Sequence, residues 1–582
     1  MTKKIVLQGI DNFKKLIDNN GYYVDKTLLI KELIDIPNQI VLITRPRRFG
    51  KTLNMSMLKY FFELPQCRKY DFEDHDVSYL FSDLNIFKAG QHYKNELSKY
   101  PVVYLTFKNA KQSNWTDTYE NLKETIANEY KRHKYILDSD ILSHSEKKVF
   151  NKIMDLEGTE VQYTNVLLNL TKYLKRYFKN DCYVIIDEYD TPIQAGYLEG
   201  YFEEVTGFMK SVLVKGFKDN ISLKQGILTG IMKVAQESIF SDFNNPSVST
   251  ILSSNYKDKF GFTEPEVEEM VNYFELPEHL HDIKTWYNGY IFGIDTVIYN
   301  PWSIIKFLST PQDGLRPYWS NTSDNRIIKE VMQLDKLEGK KTVEKLITGE
   351  SVEKELDENV VYQNIKTSPD VAWSFLTHAG YLKAYDRQQK RLKFSYKLEI
   401  PNLEIHTIYE DMIINYLKDD EDILSDVEYI IESLTNNDID SFERLLKDLY
   451  LSQVSYYDTS MDTVKEREQK EKFESFHHGF MLGLFVQTSR EFLIESNKEY
   501  GLGRPDIVMI PKDNNKTAYV FEFKWESTKG SKTLDILANE ALNQIKDKKY
   551  PEGVQKLHHH KNIMCIGIGF KGKELKIISH ST

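Results

Sequence analysis

Residues 40–52 read Ile-Val-Leu-Ile-Thr-Arg-Pro-Arg-Arg-Phe-Gly-Lys-Thr, and this stretch decides the fold of the first half of the chain. Its apolar start predicts a buried strand, and the residues after Lys51 have helical spacing. A tight loop between a strand and a helix N-terminus directs backbone N–H groups at an anion. In such a loop Lys51 would reach the outer phosphates of a nucleotide, and the Thr52 hydroxyl would hold Mg²⁺.

The loop departs from the common phosphate-loop pattern at one position. That pattern has glycine five positions before Gly50, where it relieves backbone strain, and Arg45 stands there instead. Pro46 stiffens the loop, and its arginines add positive charge close to the phosphates. From this stretch alone, a basic strand-to-helix turn without a ligand remains the alternative. The candidate nucleotide-binding residues of the loop are Arg45, Arg47, Arg48, Phe49, Gly50, Lys51 and Thr52.

Composition limits the class of protein. A chain of 582 residues is long enough for roughly three to four domains, and 41% hydrophobic and 28% charged residues are ordinary for a globular protein. The net charge of −11 means that any nucleic acid must be bound by local basic patches. Three cysteines without CxxC spacing favour a reducing compartment over disulfides or a zinc site. Without a signal-peptide pattern or an apolar stretch of about 18 residues, we expect a cytoplasmic protein without membrane contact.

A second motif follows at residues 181–190, where a continuous apolar run ends in acidic residues. Such a run is typical of a buried parallel strand, and ligands of open parallel sheets collect at the carboxyl ends of strands. We therefore expect Asp187 to coordinate Mg²⁺ near Lys51, and Glu188 to polarise the attacking water. Thr229, at the end of the next predicted strand, could sense the terminal phosphate. The alternative interpretation is a strand followed by an acidic turn.

Four segments together carry a family resemblance. Residues 23–27, 45–52, 187–192 and 286–290 resemble the AAA-ATPase-like family of bacterial proteins over roughly the first half of the chain. The resemblance implies ATP as the ligand and an arginine-rich loop without the first glycine as the normal form of the family. It also implies a PD-(D/E)XK nuclease-like domain at the C-terminus.

The last part of the chain holds a second candidate site. Strands are predicted at 491–495, 506–510 and 519–525, with a glycine-rich turn before Asp506. Glu522 and Lys524 are two apart and share one face of a strand, and Asp506 lies near them if the strands pair. Carboxylates at this position would hold Mg²⁺ or Mn²⁺, and Lys524 would position water or stabilise developing charge. The alternative is an amphipathic hairpin with a cross-strand ion pair.

This stretch resembles the PD-(D/E)XK nuclease superfamily, with Asp506, Glu522 and Lys524 as its signature. The resemblance implies Glu495 as a further upstream acid. In some related nucleases a helical Glu or His joins the metal site, as His478 with Glu474 would here, but a histidine on a helix surface is more often only hydrogen-bonded. Gln544 and Tyr550 resemble a Gln/Tyr motif of recombination-type nucleases. The candidate metal ligands of the whole chain are Thr52, Asp187, Glu495, Asp506 and Glu522, and the candidate catalytic residues are Glu188, Asp506, Glu522 and Lys524.

The sequence thus predicts a multidomain α/β protein. We expect a P-loop domain with a helical lid at 1–305, a helical or winged-helix-like middle region at 306–420 and a nuclease-like domain at 421–582. In the middle region, a helix ending at Gly380 and a following hairpin could contact DNA or only separate the domains. The predicted function is ATP binding and hydrolysis coupled to metal-dependent cleavage of DNA, in a monomer or an oligomer. The alternatives are a nucleotide-dependent switch or scaffold that does not cut, and a nuclease whose ATPase domain only senses nucleotide.

Overall fold

The computed structural model describes residues 3–68, 76–234, 246–293, 295–319, 342, 345–346, 351–358, 364, 368–390, 393–409, 421–453, 477, 480–481, 484–485, 488, 491–496, 498–526 and 530–582. The chain divides into two compact units. The N-terminal unit comprises Met1–Gly339 and Ser351–Ile405, and the C-terminal unit comprises Lys340–Glu350 and His406–Thr582. The division into three domains stays a prediction.

The N-terminal unit is built on a parallel sheet of five strands. Its strand order is β2-β3-β4-β1-β5, so that one strand separates the strand of the phosphate loop from the strand of Asp187. All five residues of β1 and all six residues of β3 are buried, as expected for strands covered on both faces. The strands are β1 Ile40–Thr44, β2 Val102–Thr106, β3 Cys182–Asp187, β4 Leu223–Gly230 and β5 Ser247–Ser249.

Helices cover this sheet. Helix α3 directly follows the phosphate loop, and its Phe62 stacks on Tyr183 of β3 at 4.1 Å between ring centroids. Thr263 and Glu266 form a capping box that starts α12. The helices are α1 Phe13–Asp18, α2 Leu28–Asp35, α3 Lys51–Phe62, α4 Asn85–Lys88, α5 Gln91–Lys94, α6 Trp115–Arg132, α7 His144–Met154, α8 Glu160–Thr164, α9 Val166–Phe178, α10 Thr191–Glu199, α11 Phe202–Phe217, α12 Glu264–Tyr273, α13 Leu280–Tyr287 and α14 Pro301–Ser309.

Two small antiparallel sheets complete the N-terminal unit. Strands β6 Phe262–Thr263, β7 Tyr290–Phe292 and β8 Thr296–Tyr299 form one of them, in the order β6-β8-β7. The other contains β9 Val352–Glu355, β10 Lys383–Lys390 and β11 Lys393–Glu399, in the order β10-β11-β9. Helix α15 Pro369–Ala379 precedes the β10–β11 hairpin and ends at Gly380, as the sequence predicts.

The C-terminal unit contains a mixed sheet of five strands in sequential order. Strands β14 and β15 are parallel and the other neighbours are antiparallel. Helices α16 and α17 share a core with one face of the sheet, and α18 and α19 share a core with the other. The elements are α16 Glu421–Thr435, α17 Ile439–Gln453, β12 Phe492–Ser496, β13 Ile507–Pro511, β14 Ala518–Glu526, α18 Leu534–Asp547, α19 Tyr550–His558, β15 Ile563–Lys571 and β16 Glu574–Ser581.

No helix in the described ranges combines the length and the apolar composition that a membrane crossing requires.

Candidate functional site

The phosphate loop has two residues in the left-handed region of backbone conformation. Arg48 has φ 68° and Gly50, the residue before α3, has φ 81°. Arg45 does not adopt positive φ, so this loop does not need the glycine of the common pattern at that position. Helix α3 therefore begins at Lys51, although the loop sequence departs from the common pattern.

Lys51 and Thr52 begin α3 with their side chains in defined contacts. The Lys51 ammonium is buried and donates hydrogen bonds to the carbonyl oxygens of Arg45, at 3.1 Å, and Pro46, at 2.9 Å. Burial lowers the pKa of Lys51, while Glu188 and other nearby carboxylates act in the opposite direction. The Thr52 hydroxyl donates to Asp187 Oδ2 at 2.8 Å.

Asp187 lies at the carboxyl end of β3, where the sequence predicts it. It is fully buried, and its Oδ1 accepts a hydrogen bond from the Thr229 hydroxyl at 2.8 Å. Burial, followed by the charge of Glu188, raises the pKa of Asp187 to about 6. Thr229 is thus placed to orient Asp187. The hydroxyl of Thr52 and the carboxylate of Asp187 are oxygen donors of the kind that Mg²⁺ prefers, so these two residues fit the cation and would hold it.

A cavity of about 750 Å³ opens in front of the loop. Residues 47–52 and Glu188 line one side of it. Glu188 follows the end of β3 with φ 53°, a strained conformation for a residue with a side chain, and it accepts a hydrogen bond from the Thr191 hydroxyl at 3.2 Å. The cavity has the size of a small-molecule site. Its apolar lining includes Val6, Leu7, Tyr22, Val24, Met270, Phe274 and Ile305.

The three arginines of the loop have different surroundings, and Arg45 differs from the sequence-based expectation. Its guanidinium is completely buried and donates to the carbonyl oxygens of Ser249, at 2.9 Å, and Tyr256, at 3.0 Å. Phe260 and Phe292 lie over it at 5.5 and 5.3 Å. Burial lowers the pKa of Arg45 to about 9. The side chain of Arg45 therefore stabilises the loop from behind and is not part of the cavity lining.

Arg47 and Arg48 line the cavity. Arg47 donates to Gln194 Oε1 at 2.6 Å, and the Arg48 guanidinium lies 4.3 Å above the Trp302 ring. Phe49 lines the cavity too, and its ring packs edge-on against Tyr290 at 5.0 Å. Gln194 and Trp302 are contacts of the loop arginines that were not predicted from the sequence. Trp302 is the second residue of α14 and Gln194 lies inside α10, so no local pattern pointed to either of them.

The C-terminal unit brings Asp506, Glu522 and Lys524 together. Ile507 pairs with Phe521, so Asp506, just before β13, lies opposite Glu522 of β14. Asp506 Oδ2 accepts the Phe523 N–H at 2.7 Å, and the Lys524 ammonium lies 3.2 Å from Glu522 Oε1. The Gln544 amide of α18 donates to the same Glu522 oxygen.

The electrostatics of this cluster favour a cation. Glu522 is 3% exposed, and burial, followed by the charge of Asp506, raises its pKa to about 8. Its Oε2 is buried without a hydrogen-bond partner. An orphaned carboxylate oxygen beside a second carboxylate fits a divalent cation with oxygen ligands, which Asp506 and Glu522 would hold.

One further candidate metal ligand, Glu495, lies on β12. Glu495 faces Val508 across β12 and β13, and its carboxylate accepts hydrogen bonds from Lys498, at 2.7 Å, and from Tyr500. In the described part of the chain, no three His, Cys, Asp or Glu side chains are grouped to hold a metal ion, so Glu495 does not join Asp506 and Glu522 in such a group. This differs from the sequence-based expectation, because Tyr500 and Lys498 satisfy the Glu495 carboxylate. His478 and Glu474 lie outside the described residues.

Comparisons with known proteins match two regions of the chain. A family model described as "Predicted AAA-ATPase" matches residues 8–240, and a model of the PD-(D/E)XK nuclease superfamily matches residues 472–580. An "Uncharacterized protein in vnfD 5'region" of Azotobacter chroococcum mcd 1 is 22% identical over 559 residues, which cover 95% of this chain and 94% of that relative. No solved structure matches the chain significantly. The chain therefore carries an AAA-ATPase-like region, matched at residues 8–240, and a region of the PD-(D/E)XK nuclease superfamily, matched at residues 472–580.

Proposed function

We propose that this protein binds and hydrolyses ATP in its N-terminal unit and cleaves phosphodiester bonds of DNA in its C-terminal unit. The observation that supports the proposal best is that one chain builds two separate carboxylate clusters, each with its own lysine: Lys51 near Asp187, and Lys524 at 3.2 Å from Glu522. Carboxylates that hold a cation beside a lysine are suited to phosphate chemistry.

In the N-terminal unit the loop N–H groups would bind the phosphates of ATP. Lys51 would exchange the carbonyl oxygens of Arg45 and Pro46 for phosphate oxygens, since an ammonium binds anionic oxygens more strongly than neutral ones. Thr52 and Asp187 would hold Mg²⁺, which neutralises phosphate charge when bound. Glu188 would orient the attacking water and take its proton, and Arg47 and Arg48 would stabilise developing charge.

In the C-terminal unit Asp506 and Glu522 would hold Mg²⁺ or Mn²⁺, which supplies an activated water when bound. Lys524 would position that water or stabilise the charge that develops on the phosphate. Gln544 fixes one oxygen of Glu522 by its hydrogen bond, which leaves Oε2 for the cation. The buried position of Glu522 protects this geometry from solvent.

The test is to assay ATP binding, ATP hydrolysis and DNA cleavage in the purified full chain, on single- and double-stranded DNA, with Mg²⁺ and with Mn²⁺. Lys51→Ala should weaken ATP binding about tenfold or more, which is about 1.4 kcal/mol. Lys524→Ala should slow DNA cleavage by about 10²- to 10³-fold and leave ATP binding unchanged. Lys516→Ala, in an exposed hairpin loop, is the control for both.

Two results would contradict the proposal. Unchanged ATP affinity in Lys51→Ala would contradict the proposed nucleotide site. Undiminished DNA cleavage by Lys524→Ala with either metal would contradict the proposed nuclease site. A wild-type protein that binds DNA with either metal but does not cut it would instead be a nucleotide-dependent switch or scaffold.

A further inference from the structure

We propose that two interlocked turns beside the Asp506–Glu522 cluster form a basic contact surface for the phosphodiester backbone of DNA. The surface consists of residues 500–504 and 546–550, and we name it the double turn. The inference rests on the proposed nuclease function, and it identifies the residues that hold the substrate strand next to the bond that is cut.

The two turns are locked together by backbone contacts. The Leu502 N–H donates to the Lys548 carbonyl at 2.7 Å and joins the two turns, and within the first turn the Tyr500 N–H donates to the Gly503 carbonyl at 2.8 Å. Gly501 has φ 57°, and a Cβ at this position would lie 2.2 Å from the Lys549 carbonyl oxygen. Only glycine permits this approach. The double turn is therefore a rigid feature of the fold, and its exposed side chains project from a fixed backbone.

The double turn is connected to the candidate nuclease site on both sides. Arg504 precedes Asp506 by two residues, and the Tyr550 hydroxyl donates to the Arg504 carbonyl at 3.1 Å. On the other side, α18 carries Gln544, which donates to Glu522, and the last two residues of α18 are the first two of the second turn. A strand whose scissile phosphate lies at Asp506 and Glu522 would consequently pass the double turn.

The exposed side chains of the double turn are mainly cationic. Arg504, Lys546, Lys548 and Lys549 are exposed, against one acid, Asp547, within the two turns. Arg504 pairs with Glu499 at 2.9 Å, and these side chains are 62% and 78% exposed. A pair so exposed is weak because water screens both charges, so Arg504 can exchange Glu499 for a phosphate. In a chain with a net charge of −11, this local excess of positive charge suits a polyanion.

The tip of the first turn adds an apolar side chain. Leu502 is 67% exposed. Apolar side chains such as leucine insert between base steps in proteins that bind the minor groove, whereas an isolated phosphate offers them nothing. The combination favours a DNA strand over a free phosphate ion as the occupant.

The test compares two variants with equal loss of charge. The first is Arg504→Ala with Lys548→Ala and Lys549→Ala. The control is Arg444→Ala with Lys512→Ala and Lys516→Ala. Residues 512 and 516 lie in the hairpin loop at the far end of β13 and β14, and Arg444 lies on α17, against the opposite face of the sheet. Binding of a fluorescent DNA duplex is measured by anisotropy over a range of KCl concentrations without divalent metal, so that no cutting occurs.

The double-turn variant should bind about tenfold or more weakly, and the slope of log K against log salt should fall by about 2 to 3, since each phosphate contact contributes about 0.9. The control should keep the wild-type slope, and Arg504→Lys with Lys548→Arg and Lys549→Arg should restore it. Thermal melting of each variant checks that the unit folds.

Equal slopes for the double-turn variant and the control would overturn the inference, because binding would then follow overall charge. Wild-type cleavage kinetics in the double-turn variant would also overturn it and would leave the proposed nuclease standing. A wild-type protein that neither binds nor cuts DNA, with or without metal, would remove both the proposed nuclease and the double turn.

Discussion

Arg45 and Arg47 are two positions apart and have opposite environments. Arg45 is buried behind the loop and donates to the carbonyl oxygens of Ser249 and Tyr256, whereas Arg47 lines the cavity and contacts Gln194. The sequence presents both as cations of one basic loop. Which of them faces the ligand depends on β5 and the segment after it, which pack behind the loop from more than 200 residues away.

We expect Arg45→Ala to lower the free energy of unfolding by about 3 kcal/mol or more, because it leaves buried carbonyl oxygens without donors and opens a cavity. The matched Arg47→Ala loses one hydrogen bond at a partly exposed position, so its stability should change by about 1 kcal/mol or less. Arg47→Ala should instead weaken ATP binding. Urea denaturation measures the stability of both variants, and ATP titration measures their affinity for ATP. Equal losses of stability would contradict the prediction that Arg45 is buried and Arg47 is partly exposed.

Glu522 should make metal binding in the C-terminal unit dependent on pH. Its pKa is raised to about 8 by burial and by Asp506. Below pH 8 a cation must displace the proton from this carboxyl group, so the affinity for Mn²⁺ should rise about tenfold per pH unit up to pH 8 and then level off. Calorimetric titrations of the protein with Mn²⁺ at pH 6, 7, 8 and 9 measure this affinity. Glu522→Gln should lose the binding and its pH dependence, and a wild-type affinity that is flat from pH 6 to 8 would contradict the prediction.

The raised pKa of Glu522 also makes the free energy of unfolding depend on pH. A carboxyl group with a raised pKa keeps its proton in the folded state while the unfolded state loses it. Without metal, the free energy of unfolding should therefore fall as pH rises from about 4.5, the ordinary value, to about 8. Glu522→Gln should flatten this part of the stability profile in urea denaturation. A profile that rises over this range in the wild type would contradict the protonated state of Glu522.

At the scale of elements, the phosphate loop is supported by α15. A Cβ at Gly380, where α15 ends with φ 92°, would lie 2.8 Å from Pro46 Cβ. The Trp319 indole donates to the Arg47 carbonyl at 3.1 Å, and its ring contacts Tyr381 at 5.0 Å. The loop backbone is thus held by residues that do not line the cavity.

Gly380→Ala should therefore affect the nucleotide site. The left-handed conformation costs a residue with a Cβ about 1–2 kcal/mol, and the contact with Pro46 adds a displacement of the loop. We expect a loss of stability of about 2 kcal/mol and weaker ATP binding. Gly200→Ala is the control, because Gly200 also ends a helix, with φ 87°, but a Cβ there meets nothing within 4 Å. Equal ATP affinities for the two variants would show that α15 does not support the loop.

The elements that carry the motifs could be predicted from the sequence because their signals are local. The predicted strand 506–510 is Ile507–Pro511 in the structure, and the predicted strand 519–525 is Ala518–Glu526. The contact of Thr52 with Asp187 follows from a general property of parallel sheets, whose strand ends meet at one edge. The orientation of Arg45, the partners of Glu495 and the position of Trp302 could not be predicted, because each depends on side chains brought together by packing.

At the scale of the whole molecule, the two units present their clusters on different kinds of sheet. The parallel sheet places Asp187 at the end of β3, whereas the mixed sheet places Glu522 within β14. A site at a strand end can be rearranged by loops, but a site within a strand is fixed by its neighbours. Nucleotide-dependent change is therefore expected in the N-terminal unit, and a fixed geometry is expected of the Asp506–Glu522 cluster.

Glu188→Gln separates hydrolysis from nucleotide binding and tests whether the two activities are coupled. The amide cannot accept a proton from water, so ATP turnover should fall by about 10²- to 10⁴-fold, while Lys51 and the loop still bind ATP. If turnover gates the nuclease, DNA cleavage measured with saturating ATP and Mg²⁺ should fall with it. Lys524→Ala is the reciprocal control, since it should abolish cleavage and leave ATP turnover within about twofold. Full DNA cleavage by Glu188→Gln would contradict control of cleavage by ATP hydrolysis, because bound nucleotide alone would then be sufficient for cleavage.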